Sequence, residues 1–265
     1  MNSAQPSARD RAQAFVDLHQ ADGLFVMANP TTVGVAVMLE QLGYPALGTS
    51  SAALARSLGR RDGERAVTRA EAIGHAKELA AATSIPISGD FEHGYGDSPA
   101  AVATTVHESI EAGLAGCCIE DATGREPGEM YDIGLASERI AAGAEAIGDH
   151  PFVLVARAEN LLHGGKDLGE IITRLQAFEA AGATAVYAPG LTTIEQVAAV
   201  VGSVGVPVNV LAGMAGQTFT LDDLGEAGVR RVSVGSGFER VANAALRSCA
   251  TRLLDTSAPL GSLFH

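Results

Sequence analysis

Cysteine is scarce in this sequence of 265 residues: there are three, two of them adjacent at Cys117 and Cys118, which cannot build a disulfide framework. Reduced thiols and a cytoplasmic location are the expectation. Positive charge is also short, with 18 Lys and Arg against 31 Asp and Glu and a formal net charge of -13. Such a surface repels phosphate backbones and anionic lipid, which argues against nucleic acid and membranes as partners. A small anionic substrate stays compatible, provided that the site brings its own positive charge through arginine or a metal. No uninterrupted apolar run reaches membrane-spanning length, and residues 1–20 lack the apolar stretch of a secretory signal. No Pro/Ser-rich linker interrupts the chain, so one domain over 1–265 is expected, with an N-terminal helical segment over 1–22 and a C-terminal helix and tail over 238–265.

What is present is apolar and rhythmic. Hydrophobic residues make up 47% of the chain, enough for a large core. Short β-branched runs at 24–28, 46–49, 85–90, 116–120, 152–157, 183–187, 206–210 and 231–234 read as buried parallel strands, apolar on both faces. Helical patterns lie between them, among them 68–82, 99–112, 137–147, 167–181 and 194–201, and several end in glycine, as at Gly113, Gly182 and Gly228. Eight such units predict a (β/α)8 barrel. The rival, a doubly wound open sheet, lacks a glycine-rich phosphate loop after the first strand, where the chain reads Ala28-Asn29-Pro30-Thr31-Thr32. Ala14, Phe15 and Leu18 fit a short helix closing the barrel floor, and Leu260, Leu263 and Phe264 make the tail apolar enough to dock on this subunit or a neighbour.

Barrel active sites form at the C-terminal strand ends. Those ends are polar here: Asp90 and Glu92 after the third strand, Glu120 and Asp121 after the fourth, Arg157, Glu159 and Asn160 after the fifth, Asn209 in the seventh. Neighbouring carboxylates repel unless a cation sits among them, and oxygen donors favour Mg²⁺ or Mn²⁺ over zinc. The plainer reading is that Asp90 and Glu120 cap helices or pair with surface arginines. His93 and Tyr95 are open between a site contact and loop packing, Glu159 and Asn160 between ligand contact and helix capping, and the two adjacent cysteines read as small packing residues.

Gly89-Asp90-Phe91-Glu92-His93-Gly94-Tyr95-Gly96 resembles the Asp-x-Asp/Glu-x-Gly-Tyr-Gly motif of the isocitrate lyase/phosphoenolpyruvate mutase superfamily. The resemblance runs on through Gly48-Thr49-Ser50-Ser51-Ala52, Gly59-Arg60-Arg61-Asp62-Gly63-Glu64, Ile119-Glu120-Asp121, Ala156-Arg157 and Arg230-Arg231-Val232-Ser233-Val234-Gly235. It implies a barrel that exchanges C-terminal helices between subunits in a homodimer or homotetramer. It implies Mg²⁺ held, directly or through water, by Asp90, Glu92 and Glu120 with Asp62 nearby. It also implies small 2-oxo or 2-hydroxy carboxylate substrates that react through an enolate. Arg157 would neutralise the carboxylate or leaving group. Ser50 and the N–H groups of Ser51 and Ala52 would hold the substrate carboxylate, and Asn29, Asn209 and Tyr95 would line the pocket.

The chain departs from the superfamily in its loops. Residues 122–131 lack the Cys-bearing Lys-Lys-Cys-Gly-His-like segment of isocitrate and methylisocitrate lyases, and resemble the mutase gating loop no better. Tyr131 or Glu129 would then be candidates for the vacated acid/base role. Thr31 and Thr32 replace a Trp and an Asp of relatives, and Ala158, Glu159 and Asn160 follow Arg157 where relatives show Thr-Asp. The expected activity is a Mg²⁺-dependent carbon–carbon lyase. The alternatives are a P–C bond enzyme (phosphonopyruvate hydrolase or phosphoenolpyruvate mutase) and a barrel kept only for binding or assembly.

Overall fold

The computed structural model describes residues 5–254 together with Pro259 and Gly261, so the apolar tail positions Leu260, Leu263 and Phe264 lie outside the described residues. The strands are β1 (Phe25–Met27), β2 (Leu47–Gly48), β3 (Ile87–Asp90), β4 (Gly116–Glu120), β5 (Val153–Arg157), β6 (Ala185–Tyr187), β7 (Val208–Leu211) and β8 (Arg231–Ser233). The helices are α1 (Ala8–Gln20), α2 (Val33–Gln41), α3 (Ser51–Ser57), α4 (Arg69–Ala82), α5 (Pro99–Glu111), α6 (Ile133–Ile147), α7 (Leu168–Ala180), α8 (Ile194–Val201), α9 (Leu221–Glu226) and α10 (Gly237–Leu253). All pairings are parallel, in the order β1-β8-β7-β6-β5-β4-β3-β2, and an Ala28–Leu47 bridge brings the two ends together. This is the expected (β/α)8 barrel, and each predicted strand overlaps an observed one.

Local chemistry sets the element ends. Ser7, Thr68, Thr193 and Thr220 form reciprocal capping boxes with Asp10, Glu71, Gln196 and Asp223 at the starts of α1, α4, α8 and α9. Gly182 follows α7 with φ +100°, a left-handed turn that a side chain would strain, and this sends the chain back into β6.

The strands bury both faces. Cys117 packs outward with Ile119, Leu154 and Val186 against the helices, whereas Cys118 points into the barrel with Met27, Val155 and Tyr187. The pleat imposes that opposition on adjacent residues. The floor is closed by α1, whose fully buried Phe15 stacks edge-on to Phe25 with ring centroids 6.3 Å apart. A Cβ on Gly116 would lie 2.6 Å from the Val153 carbonyl oxygen and 2.9 Å from the Phe15 ring, so only glycine lets the helix seat there.

Where β1 and β2 meet, a side chain completes the seam. Asn29 Nδ2 donates to the carbonyls of Gly48 (3.2 Å) and Thr49 (2.9 Å), and its Oδ1 accepts from the Val234 N–H at 3.0 Å. Three hydrogen bonds, two of them buried and one part-buried, worth about 1 kcal/mol each, predict that Asn29→Ala lowers stability by about 2–4 kcal/mol. A fall in the urea midpoint at unchanged m-value checks it.

The last helix, α10, buries none of its residues and leaves Val241 and Leu246 exposed at 70% and 67%. Among the described residues, no helix is long and apolar enough to cross a membrane.

Candidate active site

A cavity of about 180 Å³ opens at the C-terminal ends of the strands. Parallel register sets its charged rim: Glu120 pairs with Arg157 and Arg157 with Tyr187, so the ends of β4, β5 and β6 present one carboxylate, one guanidinium and one phenol side by side. Asp90 ends β3 opposite Cys118. The backbone N–H of Asp90 donates to Thr49 Oγ1 (2.7 Å), and its Oδ2 accepts from the Ser51 N–H (2.9 Å) at the start of α3. Arg157 stands among three acids. Its Nε donates to Glu159, and one terminal nitrogen lies 3.5 Å from Asp90 Oδ1 and 3.6 Å from Glu120 Oε2. The guanidinium also packs 5.2 Å from the Tyr187 ring centroid.

Asp62, Asp90, Glu92, Glu120 and Glu159 thus crowd around one arginine. Burial, then the charges of Asp62 and Asp90, push the Glu92 carboxyl up to about 8. Glu120 is raised well above its usual range by burial and then by Glu159. Asp62, at the rim on the 59–66 loop, faces solvent on one side, yet the surrounding protein and then Asp90 still raise it. A carboxyl group raised in the folded state destabilises the fold as pH climbs from its ordinary value toward its folded one. His19 and His93 act oppositely: burial lowers them to about 3 and about 4, and their contribution is complete once pH exceeds their ordinary 6.5. In EDTA the melting temperature is therefore expected to fall between pH 6.5 and 8, the window belonging to Glu92, and Glu92→Gln to flatten that decline. Thermal scans across pH in EDTA check this.

The donor set fits a hard divalent cation, since all the crowded groups are carboxylates and their excess negative charge lacks compensation. Among the described residues, however, no three Asp, Glu, His or Cys side chains lie close enough to hold an ion between them. Asp62 and Asp90 line the cavity, while Glu92, buried, and Glu120, half-buried, lie beside it without lining it.

Several expected contacts take other places. Asn29 borders the cavity, but both donors and the acceptor of its amide already join β1, β2 and β8, so it is a seam residue. Ser50, Ser51 and Ala52 of the predicted carboxylate cradle all line the cavity, but the Ser51 N–H is taken by Asp90. Tyr95 does not line the cavity; it packs against Phe91 and His93 with ring centroids 6.1 and 6.0 Å away. His93 is buried rather than solvated. Asn160 donates to Glu170, and Glu159 is engaged by Arg157. Neither acid/base candidate of the 122–131 loop reaches the cavity. Tyr131 donates to Asp97 (2.5 Å) and its ring lies 4.0 Å from the Arg139 guanidinium, while Glu129 pairs with Arg125 and Thr123.

Other residues escaped sequence reasoning. Arg139, 1% exposed, donates to the carbonyls of Gly96 (2.6 Å) and Asp97 (2.7 Å) and also to that of His93, clamping the loop that carries Glu92. An arginine inside a helical pattern gives no hint of that. Tyr187, Ser88, Cys118, Arg231 and Ser233 line the cavity, all at inward positions of predicted strands, where alternation from Asp90 or Glu120 could have found them.

The chain is similar to known proteins in both sequence and fold. The phosphoenolpyruvate phosphomutase family pattern matches residues 15–254. The crystal structure of a candidate lyase/mutase from Burkholderia cenocepacia J2315 superposes with a TM-score of 0.89 at 40% identity, covering 97% of this chain and 95% of that one. An oxaloacetate decarboxylase from Paraburkholderia xenovorans is 30% identical over 250 residues, 91% of this chain and 79% of the relative. A phosphonopyruvate hydrolase solved with oxalate and Mg²⁺ superposes with a TM-score of 0.83 at 26% identity, covering 94% of this chain and 91% of that one.

Proposed function

The chain belongs to the phosphoenolpyruvate phosphomutase family, and from that premise we propose that it is a divalent-cation-dependent lyase cleaving a carbon–carbon bond of a small 2-oxo or 2-hydroxy carboxylate. One observation carries the reading: a single guanidinium, Arg157, sits among Asp90, Glu120 and Glu159 at the mouth of a cavity, and two further carboxyls, Asp62 and Glu92, are raised by burial and by the charge of neighbouring acids that include Asp90. Decay into a binding scaffold would relieve such crowding, because buried like charges destabilise the fold.

Asp90, Glu92 and Glu120, with Asp62 nearby, would hold Mg²⁺ or Mn²⁺, which would supply polarisation of the 2-oxo group. The phosphonopyruvate hydrolase bound to oxalate and Mg²⁺ supports that assignment by analogy. The chain's own residues do the rest. Ser50 and Ala52 border the place for the substrate carboxylate at the start of α3. Arg157 offsets negative charge as the bond breaks. Tyr187 keeps its phenolic proton, because burial raises its pKa, and can donate a hydrogen bond where the enolate oxygen develops. Cavity walls formed by Met27, Leu162 and Leu211 limit water around the carbanion.

Cleavage of a P–C bond is the second reading, favoured by the family pattern and by the hydrolase likeness. Incubation with Mg²⁺ and oxaloacetate, methylisocitrate, 2,3-dimethylmalate or phosphonopyruvate separates the two: pyruvate or another 2-oxo acid without phosphate supports C–C cleavage, and phosphate release from phosphonopyruvate overturns it. We also place α10 against a second copy of the chain. Its exposed apolar residues adjoin a groove lined by Met38, Leu42, Tyr44, Phe238 and Val241, as subunit exchange requires.

A further inference from the structure

The cavity wall holds a second arginine that no carboxylate among the described residues neutralises. Arg231 opens β8, is 2% exposed and lines the cavity. Its Nε donates to Asn209 Oδ1 at 2.9 Å, and one terminal nitrogen lies 3.4 Å from His19 Nε2. Both partners are fixed in orientation. Asn209 Nδ2 donates to Ser233 Oγ (3.0 Å), which turns its carbonyl oxygen toward the arginine. His19 Nδ1 sits 2.8 Å from the Phe15 carbonyl, so Nδ1 carries the proton and Nε2 accepts.

Both partners are also neutral. Burial, and then Arg231 itself, hold His19 far below its ordinary pKa, and an amide carries no charge. Among the described residues no Asp or Glu oxygen comes within the 4.0 Å of an ion pair with Arg231, whereas Arg157 has three such partners. A buried guanidinium is strongly unfavourable without an anion. Nearby inward positions hold Phe25, Met27 and Val155, so apolar filling would serve packing as well. The oriented, uncompensated charge is therefore built for something that arrives from the cavity.

We propose that Arg231, aimed by Asn209 and His19, binds a second carboxylate of the substrate, so that the enzyme selects dicarboxylate 2-oxo or 2-hydroxy acids over monocarboxylates of the same length. The inference rests on the reading of the cavity as a 2-oxo or 2-hydroxy acid site and sharpens its substrate class. It divides the cavity into two poles. Asp90 and Arg157 handle the reacting end, and Arg231, Asn209 and Ser233 hold the far carboxylate. The volume of about 180 Å³ restricts that acid to a short chain.

Malate and 2-hydroxybutyrate test this, being four-carbon 2-hydroxy acids that differ by a terminal carboxylate against a methyl group. Calorimetric titration with Mg²⁺ is expected to show wild-type protein preferring malate by about tenfold or more, as one charge-assisted pair provides. Arg231→Met should erase the preference while leaving 2-hydroxybutyrate affinity within about twofold, and Arg231→Lys should keep part of it. Circular dichroism melting establishes that each variant folds. A second arm uses succinate in EDTA, which should raise the melting temperature of the wild-type protein and not of Arg231→Met. If Arg231→Met retains the malate preference, or succinate protects both proteins alike or neither, the proposal is overturned. Failure of the cation reading looks different: Mg²⁺ would then leave 2-hydroxybutyrate binding unchanged while the succinate difference between wild type and Arg231→Met persists.

Discussion

Asp90→Asn is expected to lower turnover by about 10³-fold or more while raising the melting temperature of the cation-free protein. The two effects share one cause. Asp90 adds to the repulsion that lifts Asp62, Glu92 and Glu120, so neutralising it relaxes three neighbours at once. Asparagine keeps an acceptor for the Ser51 N–H, now 2.9 Å from Asp90 Oδ2, so the start of α3 stays anchored. What is lost is the carboxylate that lines the cavity and would meet the cation. Turnover assays, with thermal scans in EDTA and in Mg²⁺, read both parts. A variant that still turned over substrate and still gained stability from Mg²⁺ would remove Asp90 from the metal site.

Arg157→Met should have the opposite effect on stability and an equally severe one on activity. Methionine fills much of the same space but leaves Asp90, Glu120 and Glu159 without their shared counter-ion. Removing one partner of a buried ion pair costs about 3–5 kcal/mol, because the remaining charge stays buried. Urea denaturation in EDTA measures the loss. A double variant with Glu159→Gln should recover part of it, since Glu159 gives Arg157 its shortest contact and is 4% exposed. Strictly additive losses in the double variant would show that the two side chains are not coupled as the geometry requires.

Much of this arrangement was legible in the chain because barrel architecture turns position along a strand into position in space. Asp90, Glu120 and Arg157 were identifiable as strand-end residues, and all three end their strands in the structure. Asn29 and Tyr95 were harder. Asn29 stands at a strand end as the acids do, yet its amide closes the seam between β1, β2 and β8, a demand created only when the first and last strands meet. Tyr95 adopts a left-handed backbone, φ 58°, that turns it toward Phe91 and His93 rather than the cavity. The 122–131 loop likewise offered Tyr131 and Glu129 as acid/base candidates, but hydrogen bonds with Arg65 and Asp97, distant in sequence, hold Tyr131 beneath Arg139.

The amino-acid order alone determined the alternation of strands and helices, the parallel barrel it implies, the acidic rim and the family likeness. Each of these depends on local periodicity or on motif spacing, which a linear reading preserves. Tertiary structure decided which carboxyls face the cavity and which lie beside it, that Arg157 is shared by three acids, and that Arg231 is paired with no acid among the described residues. Those properties are sums over neighbours brought together by closure of the sheet, and electrostatic energy depends on distances through space, not along the chain.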